Sequence, residues 1–242
     1  MKQPVTEGWL AQHPYLQPLA DLHALIDAAA AEVPIAAAPI PSWQAYERDF
    51  LRGIPLLHSE AVVIDWDPAE AALRAMEETV RSSPLLAWVA TEAGLPILLE
   101  WNVVSRFLRD VVPAFNRWRN EERWLRASCP TCGAPPAMAQ LIGSDQGRMR
   151  MLWCGRCHTR WRYRRTGCPF CLIEDDHRLA GFAVEGEGRL RIDYCERCSG
   201  YLKTYVGEGS ETLLLADWTS LHLDVVARDR GLNRLAGSLY SL

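Results

Sequence analysis

The sequence predicts an α+β protein: a helical N-terminal domain, two tandem four-cysteine ribbons and a short C-terminal helix. Three observations carry this. All eight cysteines fall in four Cys-x-x-Cys pairs, Cys129/Cys132, Cys154/Cys157, Cys168/Cys171 and Cys195/Cys198, with none in the first 128 residues or the last 44. The segment containing them repeats itself. The sequence before it is punctuated by helix starts and stops, and an apolar stretch after it reads as one more helix. The boundaries drawn on this basis are 1–127, 128–166, 167–207 and 208–242.

In the N-terminal domain, residues 28–41, AAAAEVPIAAAPIP, read as a helix end followed by an extended linker. Ser42 to Arg52 followed by Gly53 reads as the next helix. Asp67-Pro68-Ala69-Glu70 offers an acidic N-cap, proline at the first helical position and glutamate three residues on, predicting a helix to about Ser82. Ser83-Pro84 restarts the chain, and Gly94 suits a left-handed helix end. Leu95-Pro96 then opens a stretch in which Ile97, Trp101, Val104, Leu108 and Val111 share a face, with Pro113 expected to end or kink it. Phe115, Trp118 and Leu125 suggest a further helix leading to the first cysteine pair. Tryptophans 43, 66, 88, 101, 118 and 124 are expected to pack in the core.

The cysteine segment consists of two copies of one unit. After Cys129-Pro-Thr-Cys132 come an apolar stretch at 137–142, a GSDQG turn, Met149 to Trp153 and then Cys154 and Cys157. After Cys168-Pro-Phe-Cys171 come 178–184, an EGEG turn, Leu190 to Tyr194 and then Cys195 and Cys198. The copies are offset by 39 residues at their first pairs and 41 at their second. Each ends in a further strand, Arg160–Arg165 or Gly200–Val206, so the expected unit is a three-stranded ribbon.

A tetrahedral metal site needs four thiolates from two rigid turns, and a hairpin of about twenty residues brings two such turns together. The intervals here are 21 and 23 residues. Pairing Cys154/Cys157 with Cys168/Cys171 would force the outer pairs to meet across the whole segment, against the repeat. The sites are therefore Cys129, Cys132, Cys154 and Cys157 for one ion, and Cys168, Cys171, Cys195 and Cys198 for the other. Four thiolates suit zinc or a single rubredoxin-type iron equally, so the ribbons read as rubredoxin-like or zinc-ribbon modules. Disulfides are disfavoured, since each pair would close only a tiny loop. His158 follows a complete ligand set and is expected to be exposed or to stand behind the ligands.

A fully thiolate-occupied site has no open position for a catalytic water. No G-x-S-x-G, Walker A or dinucleotide G-x-G-x-x-G motif occurs either, so the reading is not an enzyme. The first residues, MKQPVTEG, lack a secretory core, and no apolar run is long enough to insert in a membrane, which places the expected location in the cytoplasm. Net charge is −6 over 1–128, +4 over 129–206 and −2 over 207–242. The run from Thr159 to Arg165, TRWRYRR, has the basic and aromatic interleaving of a single-strand nucleic-acid binder. Two metal–thiolate complexes of about −2 each would cancel the local excess, which argues against nucleic acid as partner. On an edge strand the same arginines would guard against aggregation, with Trp161 and Tyr163 on the buried face.

The motifs CPTCG, LWCGRCHTRWRYRRTGCPFC and YCERCSGYLKTY, with the tail LLADWTSLHLDVVARDRG, resemble the FdhE family of formate dehydrogenase accessory proteins. The resemblance spans 123–234 and is looser over the helical part. It implies a cytoplasmic protein that binds the catalytic subunit of a respiratory formate dehydrogenase and is needed for that enzyme's activity without belonging to the finished enzyme. It also implies rubredoxin-like, iron-binding sites, and assigns the eight cysteines to two ions in the grouping above. Asp217, Thr219 and Asp224 match the family pattern; Ala216-Asp217 also reads as an ordinary helix cap. The expected function is an assembly factor holding the immature catalytic subunit through a metal-stabilised double ribbon. A rubredoxin-like electron carrier and a nucleic-acid-binding ribbon are the alternatives. The sequence carries no signal of oligomeric state.

Overall fold

The computed structural model describes residues 4–81, 94–144 and 147–240. They divide into two compact units, Met1–Pro41 with Ile64–Ala114, and Ser42–Val63 with Phe115–Leu242. The expected α+β composition is borne out, as is the prominence of the two cysteine clusters.

The first unit is helical: α1 (Pro4–Gln12), α2 (Gln17–Glu32), α4 (Asp67–Arg81), α5 (Gly94–Phe107) and the start of α6 (Val111–Trp118). Its core is formed by Leu22 and Ile26 of α2, Met76 and Val80 of α4, and Leu99, Val103 and Phe107 of α5, all at most 2% exposed. The alanine- and proline-rich segment after α2 is extended, as its composition predicts. It is pinned to the end of α5 by a bond from the Ala38 N–H to the Phe107 carbonyl, 2.8 Å.

Four local expectations change. Asp67 is the first residue of α4 rather than the residue before it, and its N–H donates to Asp65 Oδ1 at 3.0 Å. Gly94 opens α5 rather than closing a helix. Ile97 is 47% exposed where its neighbours Leu98 and Leu99 are buried, while Val104, Leu108 and Val111 of the expected face are buried, so only the first position of that face is displaced. Pro113 ends nothing: α5 has already stopped at Phe107, and the proline sits in the first turn of α6, where its missing N–H has no intrahelical acceptor to lose. The Ser83-Pro84 restart and Trp88 lie outside the described residues.

The second unit opens with α3 (Trp43–Arg52), closed by Gly53 in the left-handed conformation, φ 76°. Tyr46 and Phe50 of α3 meet Phe115 and Trp118 of α6, and Phe50 stacks on Trp124 at 5.6 Å, so the second unit's described tryptophans at 43, 118 and 124 join one aromatic cluster. Leu125, outside any helix, is 37% exposed.

The six ribbon strands are β1 (Met138–Ile142), β2 (Met149–Trp153), β3 (Arg160–Tyr163), β4 (Leu179–Ala183), β5 (Leu190–Cys195) and β6 (Tyr201–Val206). They match the expected positions closely. What the repeat did not announce is that both ribbons join one sheet, ordered β3-β2-β1-β6-β5-β4. The joining pair, β1 and β6, is parallel, with Ala139 opposite Thr204 and Leu141 opposite Val206; all other pairs are antiparallel.

After the sheet come α7 (Glu211–Leu214), a 3-10 turn at Asp217–Ser220 and α8 (Leu221–Asp229). The Asp217 side chain caps nothing. It pairs instead with Lys203 at 2.6 Å and with Arg234 at 2.5 Å, and accepts from Ser238 at 2.7 Å. Asp224 pairs with Lys203 at 2.8 Å, with Arg234, and accepts from Tyr201 at 2.7 Å. Lys203 is 1% exposed, so a buried charge network replaces the expected cap.

Candidate metal centres

Each Cys-x-x-Cys turn is built in the same way. The residue after the second cysteine has a left-handed backbone: Gly133 at φ 75°, His158 at 59°, Leu172 at 59° and Ser199 at 55°. Its N–H donates to the carbonyl of the first cysteine, at 2.9, 3.1, 3.1 and 2.8 Å in turn. The first cysteine's N–H donates across the turn to Ala134, Thr159, Ile173 and Gly200, at 2.9 to 3.0 Å. The chain thereby reverses tightly enough for both sulfurs to point to one side. Only glycine adopts this conformation without steric cost, so three of the four turns carry strain.

The hairpins β1–β2 and β4–β5 bring these turns together in pairs. Cys129 Sγ lies 3.5 Å from Cys157 Sγ, and Cys132 Sγ 3.5 Å from Cys154 Sγ. In the second group Cys168 Sγ is 3.8 Å from Cys198 Sγ, and Cys171 Sγ 3.7 Å from Cys195 Sγ. Within each group all four sulfurs lie within 4.8 Å of one another, and none is in a disulfide. Sulfurs about 2.3 Å from a tetrahedral ion stand roughly 3.8 Å apart, so both groups have room for one such ion.

The donor chemistry fits as well. Burial pushes the Cys168 thiol up to about 12. Cys154 is raised by hydrogen bonding to Cys129 and Cys132, and Cys157 by burial. Cys132 is lowered, since its neighbours' thiols donate to it. Four thiols this close cannot all ionise unless a cation lies among them. Both clusters could therefore hold a metal ion through Cys129, Cys132, Cys154 and Cys157, and through Cys168, Cys171, Cys195 and Cys198.

Two features of the first cluster had no sequence signal. Thr131 and Thr159 are fully buried and share a 2.7 Å hydrogen bond from one turn to the other, with Thr159 Oγ1 3.1 Å from Cys157 Sγ. Arg119 of the 111–120 region is 5% exposed. It donates to the Arg160 carbonyl and pairs with Glu121 at 3.3 Å, while its Nε and Nη1 have no hydrogen-bond partner among the described residues. Burial lowers its pKa against the attraction of Glu121, Cys129 and Cys157, placing a cation where a thiolate cluster needs one.

His158 is exposed and stacks on Trp153 at 5.5 Å, away from the ligand set, as expected. β3 is an edge strand with Trp161 buried, and its arginines are engaged: Arg160 with Glu211 at 3.9 Å and Arg162 with Glu122 at 3.2 Å. Just beyond it Arg164 pairs with Glu174. No helix among the described residues is long and apolar enough to cross a membrane.

No protein-family model matches the chain. Among curated proteins, an FdhE homolog from Stutzerimonas stutzeri is 36% identical over 123 residues, and one from Pseudomonas aeruginosa is 35% identical over 124. One from Aquifex aeolicus is 31% identical over 113 residues. These matches take in 46 to 49% of this chain and only about two-fifths of each relative's own length, 39 to 40%. Over 93% of the chain, the fold is similar to that of the FdhE protein from Pseudomonas aeruginosa in its crystal structure, with a TM-score of 0.59 at 22% identity and 88% of that chain covered. The motif resemblance is thus borne out: the chain resembles the FdhE proteins by sequence over about half its length and by fold over most of it.

Proposed function

We propose that this protein is a cytoplasmic accessory factor required for formate dehydrogenase activity, and that it binds the immature catalytic subunit through its double ribbon. The observation that carries this reading is the pair of four-cysteine clusters, one in each ribbon of a single sheet, in a chain that resembles the FdhE proteins. When bound, an ion in each cluster supplies the cross-link that a ribbon of this size lacks the core to provide. The eight cysteines ligate; the sheet fixes the distance between the clusters; no residue of this set performs catalysis. Co-purification with the catalytic subunit, lost in Cys129→Ser and Cys168→Ser, is the expected outcome. Unchanged formate dehydrogenase activity in a strain lacking this protein would refute the reading.

The half-buried Cys171 and Cys198 favour one second reading, a rubredoxin-like electron carrier, because electron transfer needs a cluster near the surface. That reading requires iron. It predicts visible absorbance from Fe³⁺–thiolate charge transfer that bleaches reversibly with reductant, and fails if protein from iron-replete cells is colourless and stoichiometric in zinc.

A further inference from the structure

The two faces of the sheet differ. Tyr201 and Lys203 of β6 reach Asp224 of α8 on one face. Leu202 belongs to the other, where a cleft of about 320 Å³ opens over the seam between the ribbons. Arg150 of β2 and Arg191 and Asp193 of β5 line it, with Arg165 and Phe170 from the segment that links the ribbons. Register explains the gathering: Arg150 lies opposite Leu141, and Asp193 opposite both Leu202 and Gly181.

Arg150 is 7% exposed. It donates Nη1 to the Gly167 carbonyl at 3.0 Å, and its Nε has no hydrogen-bond partner among the described residues. Arg191 Nε donates to Asp193 at 2.6 Å, and Asp193 also accepts from Thr204 Oγ1 at 2.7 Å. Arg165 is exposed and makes no hydrogen bond or ion pair among the described residues. Three guanidiniums therefore face one carboxylate whose acceptors are already engaged. A Cβ at Gly181 would stand 2.5 Å from Asp193 Oδ1 and against the Arg191 guanidinium, so glycine at this strand position is what lets the pair lie across β4.

Buried guanidinium without a full set of acceptors is costly, and its forked donors match carboxylate and phosphate oxygens. The second cysteine cluster borders the cleft through Cys168 and Cys195, and thiolate charge there offsets part of the positive field. Recognition must then come from direct hydrogen bonds rather than long-range attraction. We propose that this cleft binds an oxyanion, a carboxylate or a phosphate group, on a small ligand whose apolar part packs against Phe170. The proposal stands independently of the accessory role.

The test is an NMR titration of the intact protein with phenyl phosphate and with phenylacetate, following the amides of Arg150, Gly181, Arg191 and Leu202. Saturable shifts are expected, with tighter binding of one probe assigning the headgroup. Arg165→Gln, at an exposed position, is expected to weaken binding about tenfold. Gly181→Val should abolish it by filling the cleft, with metal content checked as unchanged in both variants. Absence of saturable shifts with either probe, or equal affinity in both variants and the parent, would overturn the proposal.

Discussion

In the first cluster Cys129, Cys132, Cys154 and Cys157 are between 0 and 3% exposed, whereas in the second Cys171 and Cys198 are only half-buried. The turns are the same in both, so the difference lies in what covers them. Residues 56 and 57 lie along the first turn, donating to the carbonyls of Pro130 and Thr131 at 2.9 Å each, and the Thr131–Thr159 bond closes the cluster from within. The second cluster has Phe170 and Gly200 at the equivalent positions. Its cover is the tail near Asn233, which donates to the Ser199 carbonyl at 2.7 Å and accepts from Tyr201 at 3.2 Å. The comparison teaches that a ligand set fixes how many thiolates meet, while the surrounding chain decides how much water reaches them.

The sharpest way to break this comparison is to remove one ligand from each cluster. Cys129→Ser is expected to lose one ion and unfold the first ribbon, because an ion worth roughly 10 to 16 kcal/mol in small structural sites can no longer be held. Cys198→Ser should also lose one ion but lower the melting temperature less, as its cluster carries less of the buried core. Equal losses by circular dichroism would remove the asymmetry. Chelator challenge of the parent should release one equivalent of metal before the other; a single kinetic phase would have the same consequence.

A smaller effect is expected at the second cluster's cover. Arg234→Met leaves Asp217 and Asp224 buried with Lys203 alone, at a cost of about 3 to 5 kcal/mol in urea unfolding, and should speed metal release from the second cluster. Although burial opposes it, Lys203 and Arg234 hold the Asp217 carboxyl below its usual range. Its contribution is therefore present at neutral pH and lost as the pH falls through the folded-state pKa, so Asp217→Asn should flatten stability in acid relative to the parent.

Thr131→Val comes next, with about 0.5 to 1.5 kcal/mol lost because Thr159 Oγ1 keeps only Cys157 Sγ as a partner, and with the second cluster's release rate unchanged. The smallest change has the opposite sign. Leu172 is 64% exposed in a left-handed backbone, so Leu172→Gly should relieve up to about 1 kcal/mol of strain and raise the denaturation midpoint slightly.

The six strands were legible because cysteine spacing, glycine-rich turns and aromatic alternation are local signals. The parallel pairing of β1 with β6 was not, since residues 139 and 204 carry no mark of each other. The grouping of cysteines followed from the repeat. Arg119, Thr131 and Thr159 were hidden because a buried arginine or threonine looks in sequence like any surface one. The Ala216-Asp217 cap was misread for a related reason: Lys203 and Arg234, which claim Asp217, are brought to it only by the sheet and the tail.

The seam joins unlike strands, the first strand of one ribbon to the third of the other. Such a joint is head-to-tail rather than self-complementary, and head-to-tail joints can repeat without limit. The two strands left at the margins, β3 and β4, are the same two kinds of edge that meet in the middle. A further ribbon could in principle be added at either side by the same rule. The ion-paired Arg160 and Arg162 on β3 make that margin a poor template for another strand. Charge on β3 thereby discourages growth of the sheet at that margin.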